Sequence, residues 1–242
     1  DISGADNLHP ITQPRIYYGV ETNSVAVTNT KNKSEYDYTD NSGVEHINNY
    51  DGNSGIQVGF WDRLILAVKN RDIRLAMSTS VNSESKILTN RNIIKRAKAV
   101  LPNLIYDENP YTVVDDGKIY WVLDGYTVSD KYPYSTYTEI QYDGSKRNIN
   151  YIRNSVKVII NAYDGEMTFY ITDRNDPVIM AYLKLYPTVF ADYTGKEIPE
   201  GIKSQLKYPK FLYDVQSEML MVYHNVKEDV LYRNSDIWAL PK

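Results

Sequence analysis

Five of the twelve glycines in this 242-residue chain follow an aspartate, at positions 52, 117, 125, 144 and 165. Asp-Gly is the preferred dipeptide of a two-residue type I′ hairpin turn, because both central residues take positive φ and the turn then matches the twist of the strands. The clearest case is Asp164-Gly165, inside the run NYIRNSVKVIINAYDGEMTFYIT at 150–172. A two-residue turn there pairs Ala162 with Met167, Ile160 with Phe169 and Val158 with Ile171. The other face pairs Asn161 with Thr168, Ile159 with Tyr170 and Lys157 with Thr172. The apolar residues of both strands then share a face, and a slip of one residue would turn them into water. The expectation is an antiparallel pair with one buried and one mixed face. Asp116-Gly117 predicts a second hairpin, with Val114 opposite Ile119 and Tyr111 opposite Val122, apolar on both faces and therefore covered on both. Asp143-Gly144 predicts a further turn. Recurrent Asp-Gly corners indicate an antiparallel-rich sheet rather than a metal-binding repeat.

Helical spacing occurs elsewhere. Asp62 is expected to cap a helix over 63–70, with Leu64, Ala67 and Val68 inward. Asn90 is expected to cap a helix over 91–101, carrying Ile93, Ala97 and Val100, with Leu104 in register. Asp176 and Pro177 predict a helix start where proline loses no hydrogen bond, with Val178, Ala181, Tyr182 and Leu185 as its inner stripe and Pro187 as its stop. Pro209 opens a last helix to about Tyr223, with Phe211, Val215, Met219 and Val222 inward. Arg74 to Val81 reads as a strand, the Asn-, Asp- and Ser-rich stretch 29–57 as a surface loop, and 188–207 as a linker. The fold class that follows is α+β: an antiparallel β-sheet built of hairpins and packed by helices, in one domain over 1–242.

Composition narrows the function classes. With 27 Lys+Arg against 31 Asp+Glu and no long basic run, nucleic acid is excluded as the expected partner. Apolar runs such as 178–182 are too short to span a bilayer. The absence of cysteine removes thiol nucleophiles and cysteine zinc sites, and the three histidines, His9, His46 and His224, stand far apart. No phosphate-cradling glycine loop, nucleophile elbow or EF-hand spacing occurs, and no cofactor is expected. Carboxylates cluster mid-chain at Asp107, Asp115, Asp116, Asp124, Asp164, Asp173 and Asp176, but most of these have turn or cap positions. Asp124 is the one not tied to such a role. Arg153 and Asn154 precede an apolar strand, where polar groups are either bonded or functional; a carboxylate such as Asp124 or Asp173 would be the structural partner of Arg153. The 23 tyrosines, against 4 Phe and 3 Trp, suit half-buried strand positions first and an aromatic ligand platform second.

The run NYIRNSVK followed by Ala162-Tyr163-Asp164-Gly165 resembles the UPF0182 family of bacterial membrane proteins. Further pieces agree in order, among them Arg91 with Arg96, Pro110-Tyr111, Trp121, Asp124-Gly125-Tyr126-Thr127, Tyr132-Pro133-Tyr134, Asp176-Pro177, Tyr208-Pro209 and Tyr223-His224. The resemblance implies a piece of a large extracytoplasmic part of a polytopic membrane protein. Its implied partner is the transmembrane part of the same full-length protein, and it implies no catalytic residue. The helix 91–101 followed by two hairpins is also similar to PepSY and cystatin-like modules. The function expected is a non-catalytic extracytoplasmic domain that binds an envelope ligand or partner protein through Asp124, Tyr126, Tyr151, Arg153 and Asn154. The alternative is a hydrolase of a cell-envelope polymer acting through paired carboxylates.

Overall fold

A computed structural model describes residues 10–31, 35–57, 59–71, 73, 77–78, 80–82, 84–233 and 235–239. The chain gathers into two compact units. The first comprises the described residues of Asp1–Arg96 with Asp116–Tyr120 and Ile160–Met167, and the second comprises Ala97–Asp115, Trp121–Ile159 and Thr168–Lys242. The fold class is α+β, with antiparallel sheets and several helices.

The first unit holds strands β1 (Ala26–Thr28), β2 (Glu35–Thr39), β3 (Glu45–Asn48), β4 (Ile56–Gln57) and β5 (Lys86–Leu88), and helix α1 (Phe60–Asn70). β5 lies between β1 and β4, all antiparallel. Ala67, Val81 and Ile87 form its buried cluster, with Val25 and Val27 against it. The stretch expected as a bare surface loop contains the β2–β3 hairpin. Hydrophobic pattern missed it because its engaged groups are polar. Asp40 Oδ1 accepts from the amides of Ser42 and Val44, closing the turn. Arg15 pairs with Asp37 at 2.7 Å, and Tyr17 donates to Glu35 at 2.7 Å. The rings of Tyr17, Tyr50 and Tyr163 meet with centroids 4.8–5.4 Å apart.

Asp62 does not stand before α1 but inside its first turn, where its carboxylate accepts from the amide of Gly59 at 3.1 Å. Ala67 faces inward as expected, but Leu64 and Val68 are 43% and 73% exposed. The strand expected over Arg74 to Val81 falls largely outside the described residues, and its described positions belong to no strand. Asn90 takes φ +50° and precedes the next helix, α2 (Ile93–Val100), without capping it; Asn92 Oδ1 accepts from the Lys95 amide at 3.0 Å instead. The inner face of α2 is carried by Ile93 and Ala97, while Val100 is exposed and Leu101 takes the buried place.

The second unit holds most of a five-stranded sheet. Its strands are β6 (Ile105–Tyr106), β7 (Tyr111–Asp115), β8 (Lys118–Ser129), β11 (Tyr151–Asn161) and β12 (Met167–Ile171), in the order β12-β11-β8-β6, with β7 also on β8. The hairpin of β9 (Thr138–Tyr142) and β10 (Ser145–Ile149) forms a separate pair. Asp116-Gly117 and Asp143-Gly144 both take positive φ at both residues, as a type I′ turn requires. Asp164-Gly165 does not: only Gly165 has positive φ. The amide of Asn161 bonds the carbonyl of Glu166, and that of Thr172 bonds the carbonyl of Ser155. The pairing is therefore displaced by two residues from the expected register, which preserves which side chains share a face. The mixed face is a correction: from Ser155 to Asn161 every β11 side chain is buried, Lys157 and Asn161 included.

Three helices complete this unit: α3 (Pro177–Leu185), α4 (Glu200–Lys203) and α5 (Lys210–Tyr223), followed by α6 (Glu228–Arg233). Asp176 caps α3 as expected, accepting from the Val178 amide at 2.9 Å. The residue of α3 that is fully buried is Ile179, whereas Ala181 and Leu185 are exposed. Val215 of α5 is buried among Ile105, Tyr126, Ile140, Tyr142 and Ile149, with Phe211 packed against them. α4 lies in the stretch expected as a linker, and α6 follows what was expected to be the last helix.

Candidate functional site

The five residues singled out from the sequence lie on β8 and β11, yet the fold distributes them into three arrangements. The first is buried. Asp124, on β8, pairs with Lys157 of β11, and the two side chains are 5% and 7% exposed. Asn154 Nδ2 donates to the same carboxylate at 3.0 Å. Burial raises the Asp124 pKa; Lys157 and Asn154 pull it down, and the charge of Asp107 adds to the rise. Gly125 beside it is no turn residue: it sits within β8, where an added Cβ would lie 3.2 Å from Cβ of Val156.

Tyr126 is fully buried and donates to Asp107 Oδ2 at 3.1 Å, an oxygen that also accepts from the Phe211 amide at 3.2 Å. Asp107 Oδ1 accepts from the Asn109 amide at 2.9 Å. Burial, then the negative charges of Asp124 and Asp107, raise the Tyr126 pKa, so its hydroxyl stays protonated and serves as a donor. A cleft of about 70 Å³ touches Asp107, Glu108 and Asp214, but not Asp124. That volume holds a few waters and falls well below the roughly 300–1,000 Å³ of small-molecule sites.

The second arrangement centres on Asp176, which is fully buried. Besides the Val178 amide, its carboxylate accepts from the hydroxyls of Thr127, Ser155 and Tyr151, the last at 2.7 Å. Burial alone would raise its pKa; the Ser155, Thr127 and Tyr151 hydroxyls and the Val178 amide outweigh it and hold the value below the ordinary 3.8. The carboxylate thus ties β8, β11 and the start of α3 together.

The third arrangement reaches the surface. The Tyr151 ring, anchored from below by its bond to Asp176, stacks on Tyr132 with centroids 5.4 Å apart and planes 21° from parallel. Arg153 lies 5.9 Å from the Tyr151 ring centre and pairs with Asp173 at 2.7 Å, one of the two carboxylates the sequence offered it. Asn150 grips the segment carrying Tyr132, accepting from its amide at 3.0 Å and donating to its carbonyl at 2.8 Å. The same segment presents Tyr132 and Tyr137 at 54% and 58% exposure and Tyr134 wholly to solvent. Tyr134 also takes φ +59°, a conformation in which a side chain costs roughly 1–2 kcal/mol. Tyr223 of α5 donates to Thr136 at 3.1 Å, holding the other flank of the segment.

Tyr151 and Arg153 thus meet, with Tyr132 stacked on Tyr151; Tyr134 and Tyr137 are exposed in the segment that carries Tyr132, and sequence reasoning assigned none of the three to a site. Asp124, Tyr126 and Asn154 do not join them. Lys157 was also missed, although a lone lysine inside VKVII needs an anion, and Asp124 was the acid left over. Elsewhere, in the first unit, an open hollow of about 490 Å³ is lined entirely by polar and tyrosyl residues, including Asn29, Asn49, Asp51 and Glu84. His224 ends α5 with Nδ1 3.1 Å from the Met221 carbonyl and its ring stacked 3.8 Å from Trp238, a packing role. Among the described residues no group of His, Asp or Glu could hold a metal ion.

The whole chain, residues 1–242, matches the family model described as the uncharacterised protein family UPF0182. This chain belongs to the UPF0182 family. It is 44% identical over 230 residues to a UPF0182 protein of Clostridium tetani, covering 95% of this chain and 25% of that relative. A UPF0182 protein of Clostridium acetobutylicum is 44% identical over 232 residues, which cover 96% of this chain and 24% of the relative. One from Clostridium botulinum strain Loch Maree is 42% identical over 232 residues, with 96% and 25% covered. The chain therefore spans about a quarter of the length of the curated UPF0182 relatives it matches. No solved structure matches it. Among the described residues no helix is long and apolar enough to cross a membrane.

Proposed function

We propose that this part of the UPF0182 protein is a non-catalytic extracytoplasmic binding domain, and that its tyrosine-lined face takes a saccharide of the cell envelope. The observation that carries the reading is Tyr134. Its ring is fully exposed and its backbone left-handed, so the fold bears strain and leaves a large aromatic in water with no packing in return. Such a feature is retained where the ring has something else to cover. Flat phenol rings suit the apolar faces of sugar rings, and the adjoining Arg153–Asp173 pair offers hydrogen bonds to hydroxyl groups. The non-catalytic part of the reading draws support from the carboxylates: Asp107, Asp124 and Asp176 are each buried and occupied by internal donors. The extracytoplasmic setting and a membrane part elsewhere in the full-length protein rest on the resemblance described above; the chain covers 25% of the Clostridium tetani relative.

The test is calorimetric titration of the chain with a soluble N-acetylglucosamine–N-acetylmuramic acid oligosaccharide, beside Tyr134→Ala and Tyr132→Ala. Binding by the parent, weakened about tenfold by either substitution at unchanged melting temperature, is the expected result, since an exposed aromatic anchor is worth about 1–2 kcal/mol. Binding indifferent to both substitutions, or none at all, would overturn the assignment of this face to saccharide.

A further inference from the structure

Helix α1 carries an exposed apolar stripe. Among its described side chains Ala67 is buried, while Trp61, Leu64, Ile65 and Val68 are 72%, 43%, 65% and 73% exposed. Positions 61, 64, 65 and 68 follow the spacing of one helical stripe, so these side chains form a continuous apolar ridge. Ile73 and Met77, just beyond the helix, are 70% and 74% exposed. Scattered apolar residues at a surface need no explanation, but a ridge of this kind with its own helix beneath it does.

The charges around the ridge say what covers it. Lys69 and Arg71 are exposed at its C-terminal end. Arg63 points the other way, donating to the Ser78 carbonyl. The acid of the helix, Asp62, is held on the Gly59 amide at 3.1 Å. Among the described residues, Lys69 and Arg71 thus put two exposed cations beside an apolar ridge that begins with a tryptophan, in a chain of net charge −4. Tryptophan sits at the boundary between headgroups and acyl chains, and lysine and arginine reach anionic headgroups from the same depth. We infer that α1 is a membrane-surface helix, which lays Trp61, Leu64, Ile65 and Val68 into the outer edge of an anionic phospholipid bilayer. This contact is independent of the tyrosine face and would hold whatever that face binds.

The experiment is flotation of the chain with vesicles of phosphatidylglycerol and phosphatidylcholine, and with phosphatidylcholine alone. The parent should float with the anionic vesicles, and Ile65→Ser with Val68→Ser should weaken this by about tenfold or more, as expected for withdrawing two apolar side chains from lipid. Lys69→Glu with Arg71→Glu should abolish the preference for the anionic vesicles. All four positions are exposed, and circular dichroism serves to show each variant folded. No flotation by the folded parent, or flotation that the Ile65/Val68 variant retains, overturns the inference. So does sedimentation showing a dimer that the Ile65/Val68 substitutions dissolve, because the ridge would then be covered by a second copy.

Discussion

Replacing Asp124 by asparagine tests whether this carboxylate serves shape or chemistry. The substitution keeps the outline of the side chain but leaves the Lys157 ammonium, 7% exposed, without its anion. Breaking one side of a buried ion pair costs about 3–5 kcal/mol. Asp124→Asn should therefore lose roughly 3–5 kcal/mol in urea unfolding at pH 7. The double variant Asp124→Val with Lys157→Met removes both charges and should return to within about 2 kcal/mol of the parent, or exceed it. The raised pKa of Asp124 points the same way, because burial already outweighs the attraction of Lys157 and Asn154. An Asp124→Asn protein as stable as the parent at pH 7 would refute the pairing and return Asp124 to the candidates for function.

Asp176→Asn should flatten the acid limb of the stability profile. The folded pKa of Asp176 lies below 3.8, so its contribution is complete above that value and is lost as pH falls through the lower folded one; melting curves from neutral to strongly acid pH check this, and an unchanged limb would contradict it. Gly165→Ala should cost more than Gly144→Ala, by about 1–3 kcal/mol of overpacking, in denaturant titrations. Both glycines have φ near +70°, so backbone strain is common to them, but an added Cβ at 165 falls 2.7 Å from the Tyr18 ring while at 144 it meets nothing within 4 Å.

The turns show how far local sequence carries and where it stops. Asp-Gly forms a two-residue corner at 116–117 and 143–144, with positive φ at both residues. At 164–165 the side chain of Asn161 intervenes, accepting from the Tyr163 amide at 2.9 Å, and the loop closes earlier, at Asn161 and Glu166. A strand slipped by two keeps its parity, which is why the shared apolar face was legible even though the register was not. At 124–125 the glycine answers to Val156, 31 positions away, and no local rule contains that distance. Helix existence at 63–70, 177–185 and 210–223 was legible from spacing, and so were the inner residues Ile93 and Ala97 of α2 and Phe211 and Val215 of α5; in α1, among the described side chains, Ala67 is buried while Leu64 and Val68 point outward. The candidate site divides in the same manner. Arg153 with Asp173 was readable as a cation needing an anion. The bond from Tyr126 to Asp107 was not, since it depends on how β6 lies against β8.

What the buried acids do constrains what is left to act on other molecules. Asp176 accepts four internal donors, Asp107 three, and Asp124 is held by Lys157 and Asn154. A general acid or base must exchange its proton with a substrate within hydrogen-bond reach, whereas these three buried carboxylates are bonded to internal donors. These groups fix the strands from which Tyr151 and Arg153 project, and the Asn150 and Tyr223 contacts fix the segment that carries Tyr132 and Tyr134. An aromatic face so anchored loses little freedom when a ligand settles on it, which favours binding by the cost it avoids. Removing the anchor while keeping the rings therefore separates the two contributions: Asn150→Ala should weaken saccharide binding mainly through a less favourable entropy, and a variant with wild-type affinity would show that the tyrosines do not act as a preformed surface.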